Sequence, residues 1–274
     1  MCGTCGCSAG SEGGGGTRVA VPHTHPHDGD LGRGHDHGDH HSDHHHGRAR
    51  PTAIRGTADG GETVTLEQRV LAKNEDLATR NRAWLAEQGI VAVNLMSSPG
   101  AGKTTLLERT IRDFVGHRPV AVIEGDQETM LDAERIKRAG STVVQVNTGA
   151  GCHLDAEMVR DALATLTPES GSLVLVENVG NLVCPALFDL GERSRVVIIS
   201  VTEGTDKPLK YPYMFAAADL VIINKIDLLP YVDFDMARCE EYARSVNPGL
   251  RVLALSATTG EGMRDWYDWI AEQY

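Results

Sequence analysis

Three groups of residues in this chain have types and spacings that chemistry can use. The first is Ser97-Ser98-Pro99-Gly100-Ala101-Gly102-Lys103-Thr104-Thr105. It approaches the phosphate-loop pattern of Gly, four residues and Gly-Lys-Ser/Thr, with Ser97 at the first Gly position. Gly100, Ala101 and Gly102 let backbone amides turn toward a phosphate. Lys103 is expected to reach the β- and γ-phosphates, and the hydroxyl of Thr104, just before Thr105, to bind Mg²⁺. The alternative is a Gly-rich turn that merely caps a helix; an apolar strand before it and a helix after it argue for the phosphate site.

The second group reads a base. In Asn224-Lys225-Ile226-Asp227, an ionised Asp227 can accept from both N1–H and the 2-amino group of guanine, donors that adenine lacks there. Ser256-Ala257-Thr258 looks like the loop whose backbone amide meets the guanine oxygen. GTP and GDP are therefore the expected nucleotides. Acidic segments stand where switches should: Glu124-Gly125-Asp126-Gln127 and Glu177-Asn178-Val179-Gly180-Asn181. Asp126 is the first choice and Glu177 the second for holding Mg²⁺, with Lys103 and Asp126 as the catalytic pair; a solvated turn acid is the alternative for either carboxylate. No glutamine or arginine can be assigned to hydrolysis, so slow intrinsic turnover is expected.

The third group suits metal. Cys2, Cys5 and Cys7 place three thiolates within six residues, and the terminal amine could be a fourth ligand. Such a set fits square-planar Ni²⁺ and also accepts Zn²⁺; a redox dithiol is the alternative. His23, His25, His27, His35, His37, His40, His41, His44, His45 and His46 are interleaved with Asp and Gly. They form a tract able to store metal or to serve as a solvated linker. Cys152-His153 and Cys184-Pro185 follow two strands; they are an open three-ligand site, one closed by a second chain, or simply packed cysteines beside a turn histidine. Cys239 stands alone on an apparent helix and reads as a buried small residue.

These residues need a frame. Residues 1–61 almost lack large apolar side chains and read as a disordered metal-binding tail; residues 62–274 read as a GTPase domain that begins with a helix. That helix is expected over Thr65–Gln88 with Leu66, Val70, Leu71, Leu77, Trp84 and Leu85 as its apolar stripe. Strands are expected at Val91–Met96, Val120–Glu124, Thr142–Val146, Leu173–Val176, Val196–Val201, Leu220–Ile223 and Val252–Leu255, with helices such as Lys103–Val115 and Asp155–Leu166 between them. Short Val/Ile runs alternating with helices imply an α/β fold, a mostly parallel sheet covered on both faces, with ligands at the carboxyl ends of the strands. A net charge of −12 without a Lys/Arg cluster excludes nucleic acid as the expected partner. The N-terminus lacks a signal pattern, and no apolar run approaches the ~20 residues of a membrane span. The expected location is the cytoplasm, where the cysteines stay reduced.

The combination resembles the HypB family, GTPases that assist nickel insertion into [NiFe]-hydrogenase. The resemblance spans Val64 to Tyr274 and the N-terminal cysteine motif. It rests on the phosphate loop, Glu124-Gly125-Asp126-Gln127, Thr148-Gly149-Ala150-Gly151-Cys152-His153-Leu154, Glu177 through Pro185, Lys207-Pro208-Leu209-Lys210-Tyr211-Pro212 and Asn224-Lys225-Ile226-Asp227. It implies a P-loop NTPase fold of the SIMIBI class of G domains. Cys152, His153 and Cys184 become nickel or zinc ligands at or near a dimer interface, and the N-terminal cysteines a high-affinity nickel site. Lys207 would lie near the dimer contact. A nucleotide- or metal-dependent homodimer, a HypA-type metallochaperone, a SlyD-type carrier and the hydrogenase large-subunit precursor are the implied partners. Relatives serving urease or a cobalamin enzyme, and a metal-storage protein, are the competing readings.

Overall fold

The computed structural model describes residues 66–114, 117–126, 131–149 and 151–274. Cys2, Cys5, Cys7, the tract from His23 to His46 and the expected tail lie outside them. The strands are β1 (Val91–Ser97), β2 (Val120–Asp126), β3 (Thr142–Asn147), β4 (Leu173–Gly180), β5 (Ser194–Ser200), β6 (Leu220–Asn224) and β7 (Arg251–Ala254). The helices are α1 (Leu66–Glu87), α2 (Lys103–Phe114), α3 (Leu131–Ala139), α4 (Ala156–Leu166), α5 (Lys207–Lys210), α6 (Pro212–Ala216), α7 (Met236–Val246) and α8 (Met263–Ala271). Among the described residues the sheet has seven strands in the order β3-β2-β4-β1-β5-β6-β7. Every pairing is parallel, where the sequence implied only a mostly parallel sheet. β1 is central, with β4 on one side and β5 on the other. The loop leaving β1 therefore opens at the point where strand order reverses, the place where such sheets bind ligands.

Alternate strand residues serve opposite faces, the period of two that a pleated strand imposes. Val93, Leu95, Leu175 and Ile198 pack with Leu106 and Ile111 of α2 and with Trp266 and Ile270 of α8. On the other face Ala92, Val174 and Val176 meet Leu85 and Leu163, while Val197, Ile199 and Ile223 meet Phe215 and Cys239. Burial on both faces explains why the strands read as unbroken apolar runs. Trp266 stacks on Trp269 at 5.4 Å, and its indole N–H donates to the Thr110 hydroxyl at 2.9 Å.

Two sequence expectations are corrected. The buried face of α1 is Asn74, Ala78, Asn81 and Leu85, while Val70, Leu71 and Trp84 of the expected stripe are exposed. The cause is polar docking. Asn81 donates to the carbonyls of Ala156 and Leu190 at 2.8 and 2.9 Å, and Asn74 donates to Asp189 and accepts from the Ala156 N–H. Secondly, the acidic segments do not follow their strands but end them. β2 keeps pairing through Gly125 and Asp126, opposite Val146 and Asn147, and β4 runs on to Gly180 opposite Ser97. No described helix is long and apolar enough to cross a membrane.

Candidate functional site

The phosphate loop bridges β1 and α2. Gly100 and Gly102 take φ of +76° and +98°, a region L side chains rarely adopt, so the glycines permit the turn. Lys103 opens α2 and is buried; its ammonium donates to Ser97 Oγ at 2.7 Å. Ser97 thus gives the lysine an oxygen that the usual glycine could not. The first N–H groups of α2 have no helical acceptor and make its start an anion cradle. The Thr104 hydroxyl donates to Glu177 Oε1 at 2.8 Å. Glu124 stands in register with Glu177 on the adjacent strand, and both carboxyls are buried. Two buried acids side by side repel unless a cation sits near them. A hydroxyl with two carboxylates is an oxygen donor set that suits Mg²⁺. Asp126 is the last residue of β2, but its side chain lies outside the described part. A cavity of about 540 Å³ opens here, walled by Gly100, Lys103, Thr104, Glu124, Glu177 and Arg135.

The base-reading loop is tied to the phosphate loop. Asn224 Nδ2 donates to the Ala101 carbonyl at 2.9 Å, and its Oδ1 accepts from the N–H groups of Lys225 and Ala257 at 2.8 and 3.1 Å. Lys225, at φ +63°, donates from Nζ to the Gly100 carbonyl at 2.6 Å. Asn224 and Lys225 therefore act as braces, and Ala257 is held by one of them. Ser256 is buried and its Oγ accepts from the Thr259 N–H, which shapes the last loop. Asp227 Oδ1 is buried with no hydrogen-bond partner, an acceptor that guanine donors would satisfy.

The third group also converges. Cys152 and Cys184 form no disulfide; their sulfurs are 2.8 Å apart, and His153 Nδ1 lies 3.7 Å from the Cys152 sulfur. The candidate ligand atoms of Cys152, His153 and Cys184 fall within 4.8 Å of one another, close enough to share one ion. Burial lowers the pKa of His153, against a smaller opposing pull from Asp155, and favours the neutral imidazole that a metal needs. Its ring stacks on Phe188 at 3.9 Å, which fixes its orientation. Cys239 is buried on α7, and burial pushes its thiol up to about 12, in keeping with a packing role.

Some residues were not singled out from sequence. Glu124 could have been found as an acid inside an apolar strand. Arg135 lies in a helix with no local signal; Glu108 holds its guanidinium through two bonds of 3.1 and 3.0 Å. Lys207 pairs with Glu203 of its own chain at 3.1 Å, and Glu203 also accepts from the Ser98 hydroxyl of the phosphate loop.

Fold and site together define a P-loop GTPase. Residues 91–254 match the family described as CobW/HypB/UreG, nucleotide-binding domain. The chain is 57% identical over 210 residues to hydrogenase maturation factor HypB of Azotobacter chroococcum, covering 77% of this chain and 69% of that one. The structure of HypB from Archaeoglobus fulgidus is similar at 42% identity and a TM-score of 0.69, covering 73% of this chain and 98% of that one. That of Helicobacter pylori HypB in complex with nickel is similar at 36% identity and a TM-score of 0.70, covering 73% and 94%. The chain belongs to the HypB branch of the CobW/HypB/UreG family.

Proposed function

We propose that this chain is a GTP-hydrolysing nickel metallochaperone that assists nickel insertion into [NiFe]-hydrogenase. Residues 1–61 are a Cys/His-rich collecting tail and residues 62–274 the GTPase domain. Cys2, Cys5 and Cys7 gather nickel, the histidine tract stores it, and Cys152, His153 and Cys184 hold nickel or zinc during transfer. Asp227 selects guanine. Lys103 stabilises the charge that develops on the phosphates, and Thr104, Glu177 and Asp126 hold Mg²⁺, with Glu124 beside them. When bound, Mg²⁺ supplies neutralising charge at the β- and γ-phosphates. Glu108 engages the Arg135 guanidinium beside the cavity, which supports slow intrinsic hydrolysis. A homodimer, a HypA-type metallochaperone, a SlyD-type carrier and the hydrogenase precursor complete the cytoplasmic pathway.

One observation carries the reading: Glu177, bonded to the phosphate-loop Thr104, lies seven residues before the metal-cluster Cys184 on one continuous segment. Nucleotide state then changes metal affinity, and metal changes nucleotide affinity by the same factor. Equilibrium Ni²⁺ titrations of the GDP and GTP-analogue forms test this. Different dissociation constants are expected, and equal ones would sink the metallochaperone cycle.

A further inference from the structure

A set of contacts joins the phosphate site to the Cys152–His153–Cys184 cluster without taking part in either chemistry. Asn178 follows Glu177 on β4 and is 1% exposed. Its Oδ1 accepts from the N–H groups of Val179 at 3.0 Å and Leu154 at 3.1 Å, and its Nδ2 donates to Asn94 Oδ1 at 3.2 Å. Leu154 directly follows His153. Its side chain is fully buried and sits on the backbone of Gly125, next to Glu124; a Cβ at Gly125 would lie 2.7 Å from Leu154 Cγ. Further along, Gly180 abuts Pro99 of the phosphate loop, where a Cβ would come within 3.2 Å of the ring. Asn181 then spans both limbs of the metal cluster. Its Nδ2 donates to the Cys152 carbonyl at 3.3 Å, and its Oδ1 accepts at 2.8 Å from the N–H of Val183, the neighbour of Cys184.

We propose that Leu154, Asn178 and Asn181 are positioning residues that transmit the state of the nucleotide site to the metal ligands; this rests on the linkage proposed above. Cys152 and His153 lie in a loop, and their place depends on what the next residue grips. Leu154 grips β2 by packing and β4 through its N–H, which donates to Asn178 Oδ1. Glu124 and Glu177, at those strand ends, are buried next to the cavity where phosphates and Mg²⁺ bring charge. Charge placed beside buried carboxylates changes the force on the strands that carry them. A close-packed interior passes on small displacements instead of absorbing them. Asn181 makes the Cys152 and Cys184 limbs move together, so the spacing of the ligands, and with it metal affinity, follows the strand ends.

The test uses full-length protein with Cys2, Cys5 and Cys7 changed to Ser, and Co²⁺ as the probe. Thiolate-to-metal absorption then reports Cys152 and Cys184. Co²⁺ dissociation constants are measured with GDP and with a non-hydrolysable GTP analogue, in this parent and in Leu154→Met, Leu154→Ala and Asn181→Ala. Leu154→Met conserves volume and keeps the test available if the alanine variant unfolds. The parent ratio is expected to be about fivefold or more, in the usual range of coupling between sites. It should fall below about twofold in Leu154→Ala and Asn181→Ala and by about half in Leu154→Met, while analogue affinity without metal stays within about threefold of the parent. A folded variant that weakens Co²⁺ equally in both nucleotide states, or keeps the parent ratio, overturns the assignment of these residues alone. A ratio of one in the parent overturns the underlying linkage and the assignment with it.

Discussion

In the function proposed above, base selectivity rests on a single atom of Asp227. Its buried Oδ1 has no hydrogen-bond partner. Leaving such an acceptor unpaired costs about 1–3 kcal/mol, and more when it is charged. A guanine base would remove that cost, whereas adenine would leave it in place. Asp227→Asn is expected to weaken GTP at least about tenfold, the equivalent of about 1.4 kcal/mol, and to improve xanthosine triphosphate relative to it. Competition titrations with the two nucleotides check this; unchanged GTP affinity would remove Asp227 as the base reader. Asn224, in the same motif, has a different kind of role. Its amide holds Ala101 and Ala257, and a Cβ on Gly102 would lie 2.5 Å from its Nδ2. In the proposed function the motif is part ligand contact and part scaffold.

At the scale of elements, α1 is held by hydrogen bonds more than by an apolar stripe. Gly191 allows that docking: its φ is +88°, and a Cβ there would lie 2.5 Å from the Ala78 carbonyl oxygen and 2.6 Å from Asn81 Cβ. Gly191→Ala is therefore expected to destabilise the fold by about 2–4 kcal/mol, strained backbone and overpacking acting together. Denaturant unfolding would show it as a lower midpoint; a midpoint within about 0.5 kcal/mol of the parent would contradict the docking account. The sequence could not indicate this face, because the partners of Asn74 and Asn81 lie in α4 and in the loop after Phe188, more than 70 residues away. By contrast, the loop after β1 and Asn224–Asp227 are legible because each is a contiguous run at a strand end, where the structure also places it. The nearness of Glu124 to Glu177 is not, since strand neighbours are decided by packing and crossover geometry. For the same reason Cys152, His153 and Cys184 are ambiguous in sequence: 31 residues separate Cys152 from Cys184, and their loops leave β3 and β4, strands whose closeness in the order β3-β2-β4 no local pattern announces.

For the whole molecule, a parallel sheet puts every strand's carboxyl end on one rim. Phosphate loop, base loop and metal cluster all lie there, while the helical layers cover the faces. A storage protein and a GTP-driven chaperone would both fit such a rim, and turnover separates them. In Lys103→Ala the buried ammonium is lost and GTP hydrolysis should fall at least about 100-fold, the scale of removing one charge stabiliser from a reacting centre. Nickel binding should stay within about threefold of the parent, no more than about 0.7 kcal/mol. Hydrogenase activity in cells carrying the variant decides the role. It should be lost if turnover drives delivery, and preserved activity would favour storage.

Trp266 gives the molecule an optical gauge of its own. The indole is bonded to Thr110 on the inner side of α2, the helix whose first two residues are Lys103 and Thr104. A rotation or slide of α2 on nucleotide capture changes the surroundings of a stacked, solvent-free tryptophan pair. Exposed Trp84, on α1, contributes a steady background. The emission of unlabelled protein is therefore expected to follow the phosphate site in real time, from about two turns along the same helix.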